Sequence, residues 1–244
     1  MLNKYNAMIY LDECHSVGVI GETGRGCIEY CGVDPKDIHF ISSTLGKAVG
    51  GGGGGYTAAS KAIIDYLRQT SRTFIFSNSL WSPLIGASLK AFEILDKETW
   101  RLKRLKENGL RFRNGMRKNG FSIYGSDDCP ICPVHFRDTY YARYFEEGLM
   151  KMGYYTIALA TPVIPFGTAR TRIIITAIHT KEQIDGLIDS FKLLADNSPF
   201  FDDMKNGTRI LEDQGSYWPA IEKTLSSTKW KNDYVVSATT KAKL

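Results

Sequence analysis

Apolar residues arrive along this chain first as short unbroken runs, then as helical stripes. Ala7-Met8-Ile9-Tyr10-Leu11 is apolar at every position and is followed at once by Asp12-Glu13. A run without polar alternation predicts a strand covered on both faces, as in a parallel sheet. His39-Phe40-Ile41-Ser42-Ser43 predicts a second strand ending in a polar turn, and Phe74-Ile75-Phe76 a short further one. Between them lie six consecutive glycines, Gly50 to Gly55. A helix is predicted over Ser60–Ser71, capped by Ser60, with Ile63, Ile64 and Leu67 on one face.

From Pro83, a good first-turn residue, Leu84, Ala87, Ala91, Ile94 and Leu95 recur at helical spacing. Thr99–Lys118 continues as a helix with a basic, solvated face of Arg101, Lys103, Arg104, Lys106, Arg111 and Arg113. Strands over Ile131–Phe136, Tyr154–Leu159 and Arg172–Ala177 then alternate with helices over Tyr140–Met152 and Lys181–Ala195. Such alternation is the pattern of an α/β or α+β fold. Periodicity fades from Asn197, so residues 198–244 are expected to form an irregular tail.

Composition narrows the function classes. The chain has 244 residues, enough for one large domain or two small ones and for a core without disulfides or metal. The net charge of +5 is interspersed rather than blocked, which argues against a nucleic-acid surface. No apolar run approaches the ~20 residues of a membrane span. Met1–Tyr10 has neither a secretory apolar core nor an Arg-rich presequence, so no targeting segment is expected in this chain. The 5 cysteines are odd in number and scattered, which fits a reducing compartment. Cys129-x-x-Cys132, with Cys27 and Cys31, has metal-ligand spacing, but Pro130 and Pro133 interleave the later pair, and no metal is expected.

Three places carry candidate chemistry. Asp12-Glu13-Cys14-His15 brings a carboxylate and an imidazole to a strand end, where ligands of open α/β sheets sit; an ordinary strand-terminal turn is the alternative. Ser42-Ser43-Thr44-Leu45-Gly46-Lys47 offers hydroxyls, amides and a lysine beside the glycine run, which suits a phosphate. It lacks the spacing of a Walker A loop, and an exposed surface lysine is the plainer reading. Arg172 opens an apolar strand and needs a partner: a bound carboxylate, or a simple salt bridge.

Together these residues resemble the α-oxoamine synthases, pyridoxal-phosphate enzymes of the fold-type I, aminotransferase-like α/β architecture. The ordered matches are Leu11-Asp12-Glu13-Cys14-His15-Ser16-Val17-Gly18, Gly24-Arg25-Gly26, Thr44-Leu45-Gly46-Lys47-Ala48-Val49-Gly50-Gly51, and Arg172 with Ala177 and His179. Gly55-Tyr56-Thr57-Ala58-Ala59, Arg68-Gln69-x-Ser71-Arg72 and Phe76-Ser77-Asn78-Ser79-Leu80 look most like the members that condense glycine with acetyl-CoA in threonine and glycine metabolism. The resemblance covers roughly residues 7–196. It implies a truncated large cofactor domain ending near residue 85, a small α/β C-terminal domain over 86–197, and the tail 198–244.

The resemblance also implies roles. Lys47 would link covalently to pyridoxal 5'-phosphate and then remove the glycine Cα proton. Asp12 would pair with the ring nitrogen, His15 with the phenolic oxygen, and Thr44 with the phosphate. Ser77 and Asn78 would reach the cofactor phosphate of a second subunit in a homodimer whose active site lies at the interface. Arg172 would clamp the substrate carboxylate. Other acyl donors, as in 5-aminolevulinate or 8-amino-7-oxononanoate synthesis, and a non-catalytic remnant are the alternatives. The compartment would be mitochondrial for a eukaryotic member and cytoplasmic otherwise.

Overall fold

The computed structural model describes residue 5, residues 7–50 and residues 52–206. The chain divides into two compact units, Met1–Arg104 and Leu105–Leu244.

The first unit is organised by a three-stranded sheet in the order β1-β2-β3. Strands β1 (Tyr10–Asp12) and β2 (Phe40–Thr44) run parallel, with Asp12 opposite Ser42. The short helix α1 (Cys27–Cys31) lies between them in sequence. Strand β3 (Gly55–Ala59) returns antiparallel to β2, placing Gly55 opposite Thr44. No apolar alternation announces β3, and the sequence pattern did not predict it. Helix α2 (Lys61–Thr70) follows, and the Ser60 hydroxyl accepts the Ile63 amide at 3.5 Å as expected of a cap.

Two expectations fail here. The strand predicted over residues 7–11 is confined to Tyr10–Asp12, and it is parallel but not covered on both faces: Tyr10 is 64% exposed, and Met8 ahead of it 60%. Among the described residues β1 is an edge strand, with Phe40 stacked on Tyr10 at 5.8 Å. Phe74–Phe76 is not a strand. Residues Arg72–Ile75 form a single helical turn, α3, because Ile75 N–H bonds Ser71 O and Phe76 N–H bonds Arg72 O, both at 2.9 Å, while no strand lies in register to pair with them. Helix α4 (Ser82–Lys97) then starts with Pro83 in its first turn.

Helix α5 (Trp100–Lys118) contains the boundary between the units. Part of its basic surface is neutralised: Arg101 meets Glu98, Lys106 meets Asp128, Arg111 meets Asp185, and Arg117 meets Asp127. Arg113 departs from the expected solvated face and is fully buried. Its guanidinium donates to the carbonyls of Tyr124 (2.9 Å), Cys129 (3.0 Å) and Ile131 (2.8 Å), fastening the loop before the next strand.

The second unit has an antiparallel sheet in the order β4-β6-β5, formed by β4 (Ile131–Arg137), β5 (Ile157–Leu159) and β6 (Ala169–Ile174). Helices α6 (Thr139–Lys151) and α7 (Lys181–Asp196) follow β4 and β6 in sequence. Their apolar faces join Cys132, Val134, Phe136 and Ile173 in one core centred on Phe112, Phe121, Phe145 and Phe191. Thr180 and Gln183 form a reciprocal cap at the start of α7. Strand β6 begins three residues earlier than predicted. Ala169, Arg170, Thr171 and Arg172 alternate buried and half-buried, a period-two pattern hidden behind the more conspicuous Ile173-Ile174-Ile175 run. The stretch expected to open an irregular tail holds a helix, α8 (Phe200–Asn206), with Phe200 buried and stacked on Phe121 at 5.7 Å. The rest of that expectation, residues 207–244, lies outside the described residues.

Replacing Arg113 by Met keeps much of its packing but leaves the carbonyls of Tyr124, Cys129 and Ile131 without their donor. The expected cost is about 2–4 kcal/mol of stability in urea denaturation followed by circular dichroism. A change within about 0.5 kcal/mol would mean the cage is not structural.

Candidate active site

The parallel pairing of β1 and β2 brings two carboxyl-terminal strand ends to one edge, the usual place for ligands in α/β sheets. Glu13 N–H extends the ladder to Ser42 O at 2.7 Å, and the chain then turns. That turn is fixed from inside. The buried Glu13 carboxylate accepts the Ser16 hydroxyl and the amides of Cys27 (3.0 Å) and Ile28 (3.3 Å) at the start of α1. Its carbonyl accepts Ser16 N–H at 3.1 Å and Ser43 Oγ–H at 3.2 Å. Gly26 has φ +89°, and a Cβ there would stand 2.5 Å from Glu13 Oε2. Glycine is therefore required both by conformation and by the approach of the carboxylate. Sequence reasoning named Asp12 and His15 and passed over Glu13; its position ahead of Gly24-Arg25-Gly26 was the available signal.

On this turn Asp12 and His15 are both exposed. Asp12 Oδ1 accepts the Cys14 amide at 2.8 Å. Hydrogen bonds from the Cys14 thiol and amide, helped by the charges of Lys47 and His15, hold the Asp12 carboxyl below its ordinary value. Those same Asp12 contacts push the Cys14 thiol up. Lys47 lies beyond the end of β2, and its Nζ stands 3.1 Å from His15 Nε2. Asp12, His15, Thr44 and Lys47 thus gather at one sheet edge.

The glycines after Lys47 make a cradle without side chains. A Cβ on Gly46 would come 3.2 Å from Gly53 Cα, one on Gly52 2.9 Å from Leu84, and one on Gly55 2.7 Å from Ser43 O. A Cβ on Gly54 would meet the Leu80 side chain. Thr44 Oγ1 accepts Gly46 N–H at 3.2 Å and donates to Gly54 O at 3.0 Å, tying the two ends of the loop. An ionised carboxylate, an amine and imidazole in contact, and a glycine turn with open backbone fit a ligand with a cationic ring and a phosphate.

The other predicted residues stand on other elements. Ser77 and Asn78 are exposed in the connection between α3 and α4. Arg172 belongs to the second unit, where it lies within β6 opposite Pro133 and Ile157. A groove of about 690 Å³ on the first unit is lined by Tyr10, Phe40, Ser43, Tyr56, Arg68 and Phe74 among others; neither Asp12 nor Lys47 lines it. Among the described residues no group of three His, Cys, Asp or Glu could hold a metal ion. Burial pushes the Cys132 thiol up to about 12.

Against this geometry, comparison with known proteins is decisive at the level of family. The model for aminotransferase class I and II matches residues 1–191. The chain belongs to this family. It is 42% identical over 191 residues to 2-amino-3-ketobutyrate coenzyme A ligase of Salmonella typhimurium, covering 78% of this chain and 48% of that one. The mitochondrial protein of that name from Mus musculus is 39% identical over 188 residues, 77% of this chain and 45% of that one. Serine palmitoyltransferase of Sphingomonas wittichii superposes with a TM-score of 0.74 at 28% identity, over 80% of this chain and 49% of its own. These relatives fit an α-oxoamine synthase and the fold-type I architecture. The chain spans about half the length of the relatives it matches. They come from bacteria and from mitochondria, and no described helix is long and apolar enough to cross a membrane.

The glycine cradle makes a paired prediction. Gly55→Ala must displace Ser43 O or the loop, and should destabilise by about 1–3 kcal/mol. Gly86→Ala, inside α4 with open space around its Cβ position, should stabilise by up to about 1 kcal/mol. Urea midpoints of the two variants should move in opposite directions; movement of both in one direction would contradict the cradle.

Proposed function

We propose that this protein carries the lysine-bearing half-site of a pyridoxal-phosphate acyltransferase that condenses glycine with acetyl-CoA to 2-amino-3-ketobutyrate. The observation that carries the reading is the 3.1 Å contact between Lys47 Nζ and His15 Nε2, whose charges both act on Asp12. When bound, pyridoxal phosphate supplies an electron sink for the charge left by a broken Cα–H bond.

This chain's own residues do the rest. Lys47 holds the cofactor and moves the glycine Cα proton at its Nζ. Asp12, whose carboxyl Cys14 holds below its ordinary value, would pair with the ring nitrogen and favour its protonated form. His15 orients the lysine and donates to the ring's phenolic oxygen. Thr44, whose hydroxyl donates to Gly54 O, and the amides of the glycine loop would hold the phosphate. Ser77 and Asn78, exposed beyond α3, serve the cofactor phosphate of a second subunit, so the working unit is a homodimer. Arg172 clamps the substrate carboxylate with its planar fork.

The test is chemical. The full chain is incubated with pyridoxal phosphate, reduced with borohydride and mapped by mass spectrometry. The label is expected on Lys47, and Lys47→Ala should carry none at that peptide. A label on another lysine, Lys61 for example, would overturn the assignment. Absence of any label would favour a non-catalytic relative.

A further inference from the structure

Strand β6 puts two guanidinium groups on one face of the second sheet. Ala169, Thr171 and Ile173 are buried on the helix side, where the Thr171 hydroxyl donates to Ala142 O at 3.3 Å in α6. Arg170 and Arg172 therefore share the opposite face, two residues apart along a strand, or about 6.7 Å between Cα atoms. Their neighbours in register supply no negative charge. Arg170 stands between His135 and Leu159, and Arg172 between Pro133 and Ile157.

Three other arginines of this unit are neutralised or caged, Arg111 by Asp185, Arg117 by Asp127 and Arg113 by carbonyls, whereas Arg137 and Arg143 stand on other positions of β4 and α6 without an ion pair among the described residues. Among the described residues, neither Arg170 nor Arg172 stands in an ion pair. Two buried nitrogens on this face also lack hydrogen-bond partners, Arg172 Nε and His135 Nδ1. His135 is only 8% exposed, with the Tyr124 ring 4.7 Å away. Burial, and then the charges of Arg137 and Arg170, hold its imidazole below the usual range. It is a buried hydrogen-bonding group on the same face as the two cations. Adjacent like charges and unmade buried bonds are costly.

We infer that Arg170, with His135 beside it, is the second arm of an anion cradle begun by Arg172, and that the site holds two anionic groups at once. This rests on the reading of Arg172 as the carboxylate clamp. The second group is a carboxylate or a phosphate, brought by the acyl donor rather than by glycine, which has one carboxylate only. Leu159, Ile157 and Pro133 frame the cations and would exclude water once the ligand is seated.

The experiment titrates the full chain with acetate, glutarate and pyrophosphate by calorimetry at constant ionic strength. A dianion should bind about tenfold or more tightly than acetate, the fold-change of one added charge-assisted contact. Arg170→Gln should remove that preference and leave acetate binding intact; Arg170→Lys should keep part of it. Arg172→Gln should weaken all three. Pyrophosphate binding best assigns the second arm to phosphate, and glutarate binding best assigns it to carboxylate. If dianions and acetate bind equally in the parent, or if Arg170→Gln keeps the preference, the inference is overturned while the Arg172 clamp stands. If acetate binding is absent or is unaffected by Arg172→Gln, the clamp itself fails and the inference with it. The parent titration decides even where a variant does not fold.

Discussion

Glu13, 1% exposed, receives hydrogen bonds from the Ser16 hydroxyl and from the amides of Cys27 and Ile28, while its carbonyl receives Ser16 and Ser43. A carboxylate inside a protein is tolerated only with such a set of donors. The consequence is mechanical: the exit of β1, the start of α1 and the side chain of β2 are tied at one point. Asp12 and His15 flank that point in sequence, so their places at the sheet edge follow from it. Lys47 meets His15 because β2 pairs in parallel register with the strand that Glu13 terminates.

The constraint matters more because the first unit has little apolar burial to rely on. Among its described residues the buried hydrophobic side chains are Leu45, Val49 and Leu102, whereas the second unit encloses the whole aromatic core. Hydrogen bonds and close glycine contacts therefore carry the geometry of the lysine site, while dispersion and hydrophobic burial carry that of the arginine sheet. The two halves of the proposed chemistry stand on different physics. The exposed Met8 and Tyr10 belong to the less buried unit, in a chain spanning about half the length of its relatives.

Much of this was legible in the sequence. The runs ending at Leu11 and Ser43 predicted strands from their consecutive apolar residues, and the polar residues after them marked the edge where chemistry collects. The stripes in α4, α6 and α7 gave helices for the ordinary reason of period. What escaped had nonlocal causes. Strand β3 consists of Gly, Tyr, Thr and Ala and exists because β2 offers it a register. Phe74 and Ile75 looked like strand residues but had no partner to pair with. Arg113 read as a surface charge, since nothing local reveals a cage of carbonyls from a loop 11 to 18 residues away. The β6 start was masked because arginines at alternate positions do not resemble an apolar face. Glu13 was overlooked beside Asp12, its partners lying 14 and 15 residues on.

The account turns on Glu13, and Glu13→Gln tests it with little change of size. A glutamine offers one acceptor oxygen and a competing donor, so the three donors cannot all be kept. Amide hydrogen exchange of Cys27 and Ile28 should quicken by about tenfold or more, the equivalent of about 1.4 kcal/mol, with exchange in β4 and β6 unchanged. Borohydride labelling of Lys47 by pyridoxal phosphate, measured on the same sample, should require at least several-fold more cofactor. Unchanged exchange at Cys27 and Ile28 together with unchanged labelling would contradict the claim that this carboxylate holds the site.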